Sequence, residues 1–359
     1  MSETLGLSII IPVFNAEKYL LKCINSILEQ NIHTSYEIIL IDDASTDESL
    51  NIIKTINSPH IKIQSLLSNS GPGSARNAGL KVAEGEYVFF LDADDTITKN
   101  SINTLYTEAK ANDFDLVICD KKLMENEQNK REGKYIYNSD KTFDDLEITS
   151  EIKKRIFDPL YLHGLIGITG RMIKASIIKK NKLFFQDGLR YLEDEIFSWD
   201  ILSHCKKVKY IREQLYSYYV YKNQNTGISE GINRGYPLKN FKIAKNHVYE
   251  CFLKRKIKIE QAEKLANQAF IFFIISALVS FSRSIILGKV NFKEGSSRRK
   301  ELINDILRDK DIKKAIKNYQ CSKYENKWIP KAIYWRLNKV LEFLCNVRAK
   351  EILAIRQKS

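Results

Sequence analysis

The chain has 359 residues, 44% apolar and 11% aromatic, with a net charge of +13. That content excludes a disordered chain, and the length suggests two domains rather than one core. Six cysteines (Cys23, Cys119, Cys205, Cys251, Cys321, Cys345) form no C-x-x-C pair, which argues against a disulfide framework or thiolate metal site and for reduced thiols in a cytoplasmic protein. No basic segment leads into an apolar stretch with a small-residue cleavage site at the N-terminus, so no secretory signal is read there.

Leu7–Val13 is an apolar run with the look of a buried strand. Asn15 then suits a helix N-cap, and Leu20, Cys23, Ile24, Ile27 and Leu28 share one face of an amphipathic helix. Tyr36–Ile41 is a second strand and runs directly into Asp42-Asp43. A capping turn, Ala44-Ser45-Thr46-Asp47, opens a helix through Leu50, Ile53 and Ile56. Ile61–Leu66 is a third strand. Gly71-Pro72-Gly73-Ser74 breaks the chain before a helix carrying Arg76 and Asn77. Tyr87–Leu91 is a strand that ends in Asp92-Ala93-Asp94-Asp95, and Leu116–Cys119 is another. Strands and helices alternating at this spacing imply right-handed βαβ units and an α/β layer fold.

Leu123–Ser150 is polar and is expected to be an insertion or loop. Helical patterns return at Ile152–Phe157 and Met172–Lys179. A second acidic cluster, Glu193-Asp194-Glu195, follows Phe184-Phe185, and Tyr216–Tyr221 is an aromatic strand. Beyond residue 236 the pattern is helical and lysine-rich. Ala269–Phe281 is the most apolar run, too short to span a bilayer and expected as a core helix or interfacial segment. Trp328–Ile355 places Ile329, Ile333, Leu337, Val340, Leu341, Leu344 and Val347 on one stripe, with basic residues mostly off it, as in a basic amphipathic helix at a membrane interface. Residues 1–235 carry 29 Lys+Arg and 33 Asp+Glu, whereas residues 236–359 carry 28 and 11. An acidic half for chemistry and a basic half for an anionic partner, nucleic acid or membrane, is the natural division.

In an open parallel sheet the carboxyl ends of the strands share one edge, and ligands bind there. Acidic residues ending two separate strands therefore converge on one crevice. They repel each other unless a cation joins them, and a hard divalent ion completing its shell with substrate phosphates fits. Asp94 is the best direct metal ligand, with Asp92 near the metal or a ribose. Asp92-Ala93-Asp94-Asp95 also has a plainer reading, a solvated acidic turn. Asp43 can cap a helix, or accept a hydrogen bond from the N3–H of uracil. Arg76, beside a glycine turn, is either a surface ion-pair residue or a diphosphate ligand.

The segments SIIIPVFNAEKYLLKCINSIL, EIILIDDASTDES, GPGSARNAGL and GEYVFFLDADD resemble, in order and spacing, the nucleotide-binding half of the family 2 inverting glycosyltransferases. KLFFQDGLRYLEDEIFS is similar to that family's acceptor segment, and LYSYYVYKNQNTGIS to its closing strand and loop. The resemblance covers residues 7–230. It implies a GT-A fold, a mainly parallel nucleotide-binding sheet sandwiched by helices, over residues 1–230; the lysine-rich helical pattern makes 231–359 a separate basic α-helical region expected at the membrane. It also implies that Pro12, Val13 and Asn15 line the nucleotide pocket, that Asp43 meets uracil, and that Asp92 and Asp94 meet the ribose and a divalent metal (Mn²⁺ or Mg²⁺). Asp194 becomes the catalytic base, with Glu193 beside it. Many relatives carry Arg after the tyrosine of the closing loop, where this chain has Lys222; lysine binds phosphate as a point charge and not as a fork.

The expected activity is inverting transfer of a hexose or N-acetylhexosamine from a UDP-sugar to a hydroxyl of a glycan or glycolipid acceptor. The setting is bacterial surface polysaccharide or lipooligosaccharide synthesis, on the inner face of the cell membrane, with a homo-oligomer left open. Two alternatives stand beside it. One is a nucleic-acid-binding protein using the basic half, although that half shows no helix-turn-helix, zinc or aromatic RNA-binding signature, so no nucleic acid is expected. The other is a non-catalytic relative that binds sugar nucleotides, although the carboxylates needed for chemistry are present. A nucleotidyltransferase is disfavoured, because the first strand leads to Pro12-Val13-Phe14-Asn15 and not to a glycine-rich loop with a catalytic Lys or Arg.

Overall fold

In the computed structural model, residues 5–125, 129–131, 135–157, 165–189, 191–221, 238–322 and 325–358 are described. In chain order the elements are β1 (Leu7–Val13), α1 (Leu20–Leu28), β2 (Tyr36–Asp42), α2 (Ser49–Thr55), β3 (Ile61–Ser65), α3 (Pro72–Val82), β4 (Tyr87–Phe90), β5 (Thr96–Ile97), α4 (Ser101–Ala111), β6 (Leu116–Glu125), β7 (Asn129–Arg131), β8 (Lys141–Phe143), α5 (Asp145–Phe157), β9 (Arg171–Lys174), α6 (Ala175–Asn181), α7 (Glu193–His204) and β10 (Val208–Val220). Six helices follow among the described residues: α8 (Leu238–Lys254), α9 (Ile259–Ile286), α10 (Phe292–Arg308), α11 (Lys310–Ile316), α12 (Trp328–Tyr334) and α13 (Asn338–Lys358). Two compact units result. The first is Met1–Thr149, His163–Leu189 and Glu193–Gln224; the second is Ser150–Leu162, Arg190–Leu192 and Asn225–Ser359.

The first unit is a mixed sheet in the order β3-β2-β1-β4-β9-β6-β10-β5, with β7 beside β6 and β8 beside β10. Strands β3, β2, β1 and β4 run parallel. The chain winds outward from β1 to β3, then returns to place β4 on the other side of β1. That reversal opens a crevice at the strands' carboxyl ends. Pairing of β1 with β4 stops at Ile10↔Phe90, while pairing with β2 continues to Val13↔Asp42. Pro12, with no N–H to offer a ladder, sits where no β4 residue stands opposite.

The strand cores are contiguous apolar runs because helices cover both faces. Ile9, Ile11 and Val13 join α1 (Leu20, Cys23, Ile24, Ile27) and α4 (Ile102, Leu105) in one buried cluster. Ile10 faces the other way, toward α3, where a Cβ on Gly79 would come 2.5 Å from its Cγ2.

Several expectations are corrected. Asn15 is not an N-cap: α1 starts at Leu20 behind Tyr19, and Asn15 takes φ 48° in a left-handed turn. The polar stretch after Leu123 contains the end of β6, β7, β8 and the start of α5. Met172–Lys174 lie in β9, antiparallel between β4 and β6, rather than in a helix.

In the second unit α9 runs 28 residues, long and apolar enough to cross a membrane by length and composition, contrary to the shorter segment expected. Yet 78% of its most apolar window is buried, and Phe270, Ile271, Ile274 and Leu278 are fully enclosed. It is the core helix of that unit. The single C-terminal amphipathic helix expected is two helices, α12 and α13, broken at Arg336, which has φ 57°. Lys222 and the expected boundary at 230/231 lie outside the described residues.

Candidate active site

The β1–α1 and β2–α2 connections lock together. The Asn15 side-chain oxygen accepts from the Thr46 backbone N–H (2.8 Å), the Asn15 N–H donates to Ser45 Oγ (3.1 Å), and the Ala16 N–H donates to Ser49 Oγ (2.8 Å). Val13 and Asp43 join through backbone N–H to carbonyl at 2.8 Å. Asp43 is buried and holds the next turn: its two carboxylate oxygens accept the Ser70 (2.7 Å) and Gly71 (2.8 Å) N–H groups. Gly71 has φ 93°, a conformation a side chain resists. Asp43 thus fixes the glycine turn that starts α3.

Helix α3 reaches three ways into the site. Arg76 is buried and donates through Nη2 to Asp92 Oδ1 at 2.7 Å. Its Nε and Nη1 are buried with no hydrogen-bond partner among the described residues. Asn77 clamps the backbone of Phe185 from both sides, Nδ2 to the carbonyl and Oδ1 from the N–H, each 2.8 Å. Gly73 faces the segment that Asn77 holds: a Cβ there would lie 3.2 Å from Phe185 Cβ and 3.4 Å from Glu193 Cγ. Phe185 also stacks on Phe197 of α7 at 4.0 Å between ring centroids. These contacts deliver Glu193 and Asp194, the first residues of α7, to the same crevice.

The acidic turn after β4 divides its labour. Asp92 and Asp94 are partly exposed, whereas Asp95 is fully buried. Asp95 accepts the Tyr216 hydroxyl (2.7 Å) and the Tyr219 N–H (2.8 Å), and the Asp92 N–H donates to the same hydroxyl (3.3 Å). Burial, then Asp92 and Asp94, hold the Asp95 carboxyl well above the usual range, with the Tyr216 and Tyr219 bonds opposing. Burial, then the Asp194 carboxylate, push Glu193 up to about 7, with Arg76 opposing. Arg76 in turn feels Asp92, Glu193 and Asp194, which outweigh its desolvation and raise it. Asp194 is exposed, and its Oδ1 accepts the Glu195 N–H at 2.7 Å.

The structure brings together Arg76, Asp92, Asp94, Glu193 and Asp194, and sets Pro12, Val13, Asn15 and Asp43 along the adjoining strand ends. It adds residues that the sequence did not single out. Lys121 of β6, register partner of Tyr216, donates to Thr169 Oγ1 and lies 5.6 Å from the Tyr216 ring centroid. Burial, then Arg171, bring it down to about 8, against the pull of Asp95, Asp92 and Asp194. Tyr218 is half-exposed, and its hydroxyl is raised by burial and by Asp95, Asp92, Asp94 and Asp194. No local motif marks Lys121, which only its pairing with Tyr216 puts there, whereas Tyr218 lies in the aromatic strand similar to the family's closing segment.

Among the described residues no three His, Cys, Asp or Glu side chains gather as a closed metal cage. An Asp92–Asp94 pair of hard oxygens suits Mg²⁺ or Mn²⁺, which take one or two carboxylates and fill the rest of the shell with water and phosphate.

The sequence model of Glycosyl transferase family 2 matches residues 8–179. The poly(ribitol-phosphate) beta-N-acetylglucosaminyltransferase TarP of Staphylococcus aureus (strain N315) is 32% identical over 262 residues, covering 72% of this chain and 75% of TarP. The chain belongs to glycosyl transferase family 2. The poly(ribitol-phosphate) beta-glucosyltransferase of Bacillus spizizenii is 27% identical over 73% of this chain, a stretch that spans 39% of that relative's length. The crystal structure of S. aureus TarS 1-349 in complex with UDP-GlcNAc superposes with a TM-score of 0.66 at 19% identity, covering 99% of this chain and 93% of that one. At that identity the likeness speaks for the fold, which is GT-A with a C-terminal helical region, as the motifs imply.

Proposed function

We propose that this family 2 glycosyltransferase moves a hexose or N-acetylhexosamine from a UDP-sugar to a hydroxyl of a bacterial surface glycan or polyol-phosphate polymer, with inversion. The observation that carries the reading is the convergence of Asp92, Asp94 and Arg76 with Glu193 and Asp194 at the switch point of the sheet. The beta linkage in the names of both relatives is what inversion of an α-linked sugar nucleotide yields.

In this reading Asp194 takes the proton of the acceptor hydroxyl as its oxygen attacks the anomeric carbon, and the bond from that carbon to the diphosphate breaks. Arg76, paired with Asp92 and raised by the carboxylates around it, would bring positive charge to the leaving diphosphate. Asp43, which holds the glycine turn, would meet the N3–H of uracil. Pro12, Val13 and Asn15 form the wall beside the base. A divalent ion held by Asp94 and Asp92 would neutralise charge on the leaving diphosphate.

The test is UDP release by the purified chain from a panel of UDP-sugars, with and without Mn²⁺ or Mg²⁺. Release from one donor, lost on chelation, supports the reading. Failure of UDP to bind in the presence of either metal overturns it.

A further inference from the structure

The second unit carries an apolar surface that its own helices leave uncovered. Helix α12 ends in a backbone reversal: the Arg336 N–H donates to the Ile333 carbonyl (3.2 Å) and the Leu337 N–H to the Ala332 carbonyl (2.9 Å). This is the Schellman pattern, in which the left-handed position is usually glycine. Here it is Arg336 at φ 57°. The reversal separates the stripe expected on one helix into two sets. Ile329, Ile333 and Leu341 turn inward and are at most 4% exposed. Trp328, Tyr334, Trp335, Leu337, Val340 and Phe343 turn outward, from 41% exposed at Leu337 to 63% at Phe343. Six large apolar side chains within sixteen consecutive positions form a patch of the kind that marks an interaction surface.

The charge around the patch names its partner. Lys327, Lys331, Arg336 and Lys339 are exposed among these side chains. Lys331 Nζ lies 4.3 Å from the centroid of the Trp328 ring. The one acidic residue of the stretch 327–343, Glu342, is held by Arg299 at 2.5 Å. A second copy of this chain would set one basic patch against another. Tryptophan and tyrosine beside snorkelling lysine and arginine suit the boundary between headgroups and acyl chains of an anionic leaflet.

We infer that the α12–α13 corner is a membrane-docking surface, inserting Trp328, Trp335 and Phe343 into an anionic lipid leaflet while Lys331, Arg336 and Lys339 meet its headgroups. The inference concerns the second unit alone and stands apart from the nucleotide site, so it survives or fails whichever sugar is transferred.

The experiment uses the full chain with vesicles of phosphatidylcholine alone or mixed with phosphatidylglycerol. The chain has three tryptophans, and Trp199 is fully buried in the first unit, so a blue shift of emission reports on Trp328 and Trp335. Co-sedimentation and a blue shift are expected with the anionic vesicles. The Trp335→Ser/Phe343→Ser double variant should bind them about tenfold more weakly or worse, with UDP release in solution unchanged. Lys331→Glu/Lys339→Glu should lose the preference for anionic lipid. No binding by the wild-type chain, or equal binding by the double variant, overturns the inference. So does self-association that the double variant abolishes while vesicles are ignored, since the patch would then be an interface between copies.

Discussion

Arg76 and Asp92 meet at 2.7 Å and tie the first turns of α3 to the acidic turn after β4. The pair couples the glycine turn to the proposed metal ligands, and two further guanidinium nitrogens are buried with no hydrogen-bond partner among the described residues. Arg76→Lys keeps a charge but not the fork. With one or two charge-assisted hydrogen bonds lost, UDP affinity should fall about 10- to 100-fold while the fold is retained. Calorimetric titration with UDP and metal checks this, and an unchanged affinity would remove Arg76 from the diphosphate site.

Asp95 serves the fold rather than the ligand. Tyr216→Phe deletes the hydroxyl that bonds both Asp95 Oδ2 and the Asp92 N–H. Leaving these buried groups short of a partner should destabilise the protein by about 1–3 kcal/mol in urea unfolding. Donor turnover should fall as well, because the turn carrying Asp92 and Asp94 loses its anchor.

Glu193 should make stability depend on pH. Its folded value, about 7, lies above its ordinary 4.5. The folded state therefore holds a proton that the unfolded chain has released. The associated stability is fully present below about pH 4.5 and is lost as pH rises through about 7. Glu193→Gln should flatten that part of the stability profile, as read by chemical denaturation across pH 4.5–8. An unchanged profile would mean that another group titrates there.

Asn77 transmits the position of α3 to the segment preceding Asp194. Asn77→Ala leaves both the N–H and the carbonyl of Phe185 without their present partner. A loss of about 1–3 kcal/mol is expected, with acceptor turnover falling more than donor affinity. Equal losses in both would make Asn77 a general structural residue.

The nucleotide half was legible because its strands are buried on both faces and therefore written as unbroken apolar runs, with Asp43 and Asp92 directly at their ends. Arg171–Lys174 was not. Its strand character comes from filling the gap between β4 and β6, a pairing between distant segments that local periodicity cannot show. Asn15 resembled a cap because Asn is common at caps; its φ of 48° and its bond to Thr46 depend on the neighbouring β2–α2 turn. The break at Arg336 carries neither glycine nor proline, so the apolar stripe around it looked continuous. Lys121 stands just past the Leu116–Cys119 run with no motif around it and becomes a site residue only through its register with Tyr216.

The role of Asp194 is tested most directly by comparing Asp194→Asn with the wild-type chain in donor binding and in transfer. Asn keeps an oxygen for the Glu195 N–H, so the start of α7 should survive, but it cannot take a proton. Unchanged affinity for the UDP-sugar and a fall in transfer of about 1,000-fold are expected. Transfer at the wild-type rate, or loss of donor binding together with transfer, would contradict Asp194 as the base that activates the acceptor hydroxyl.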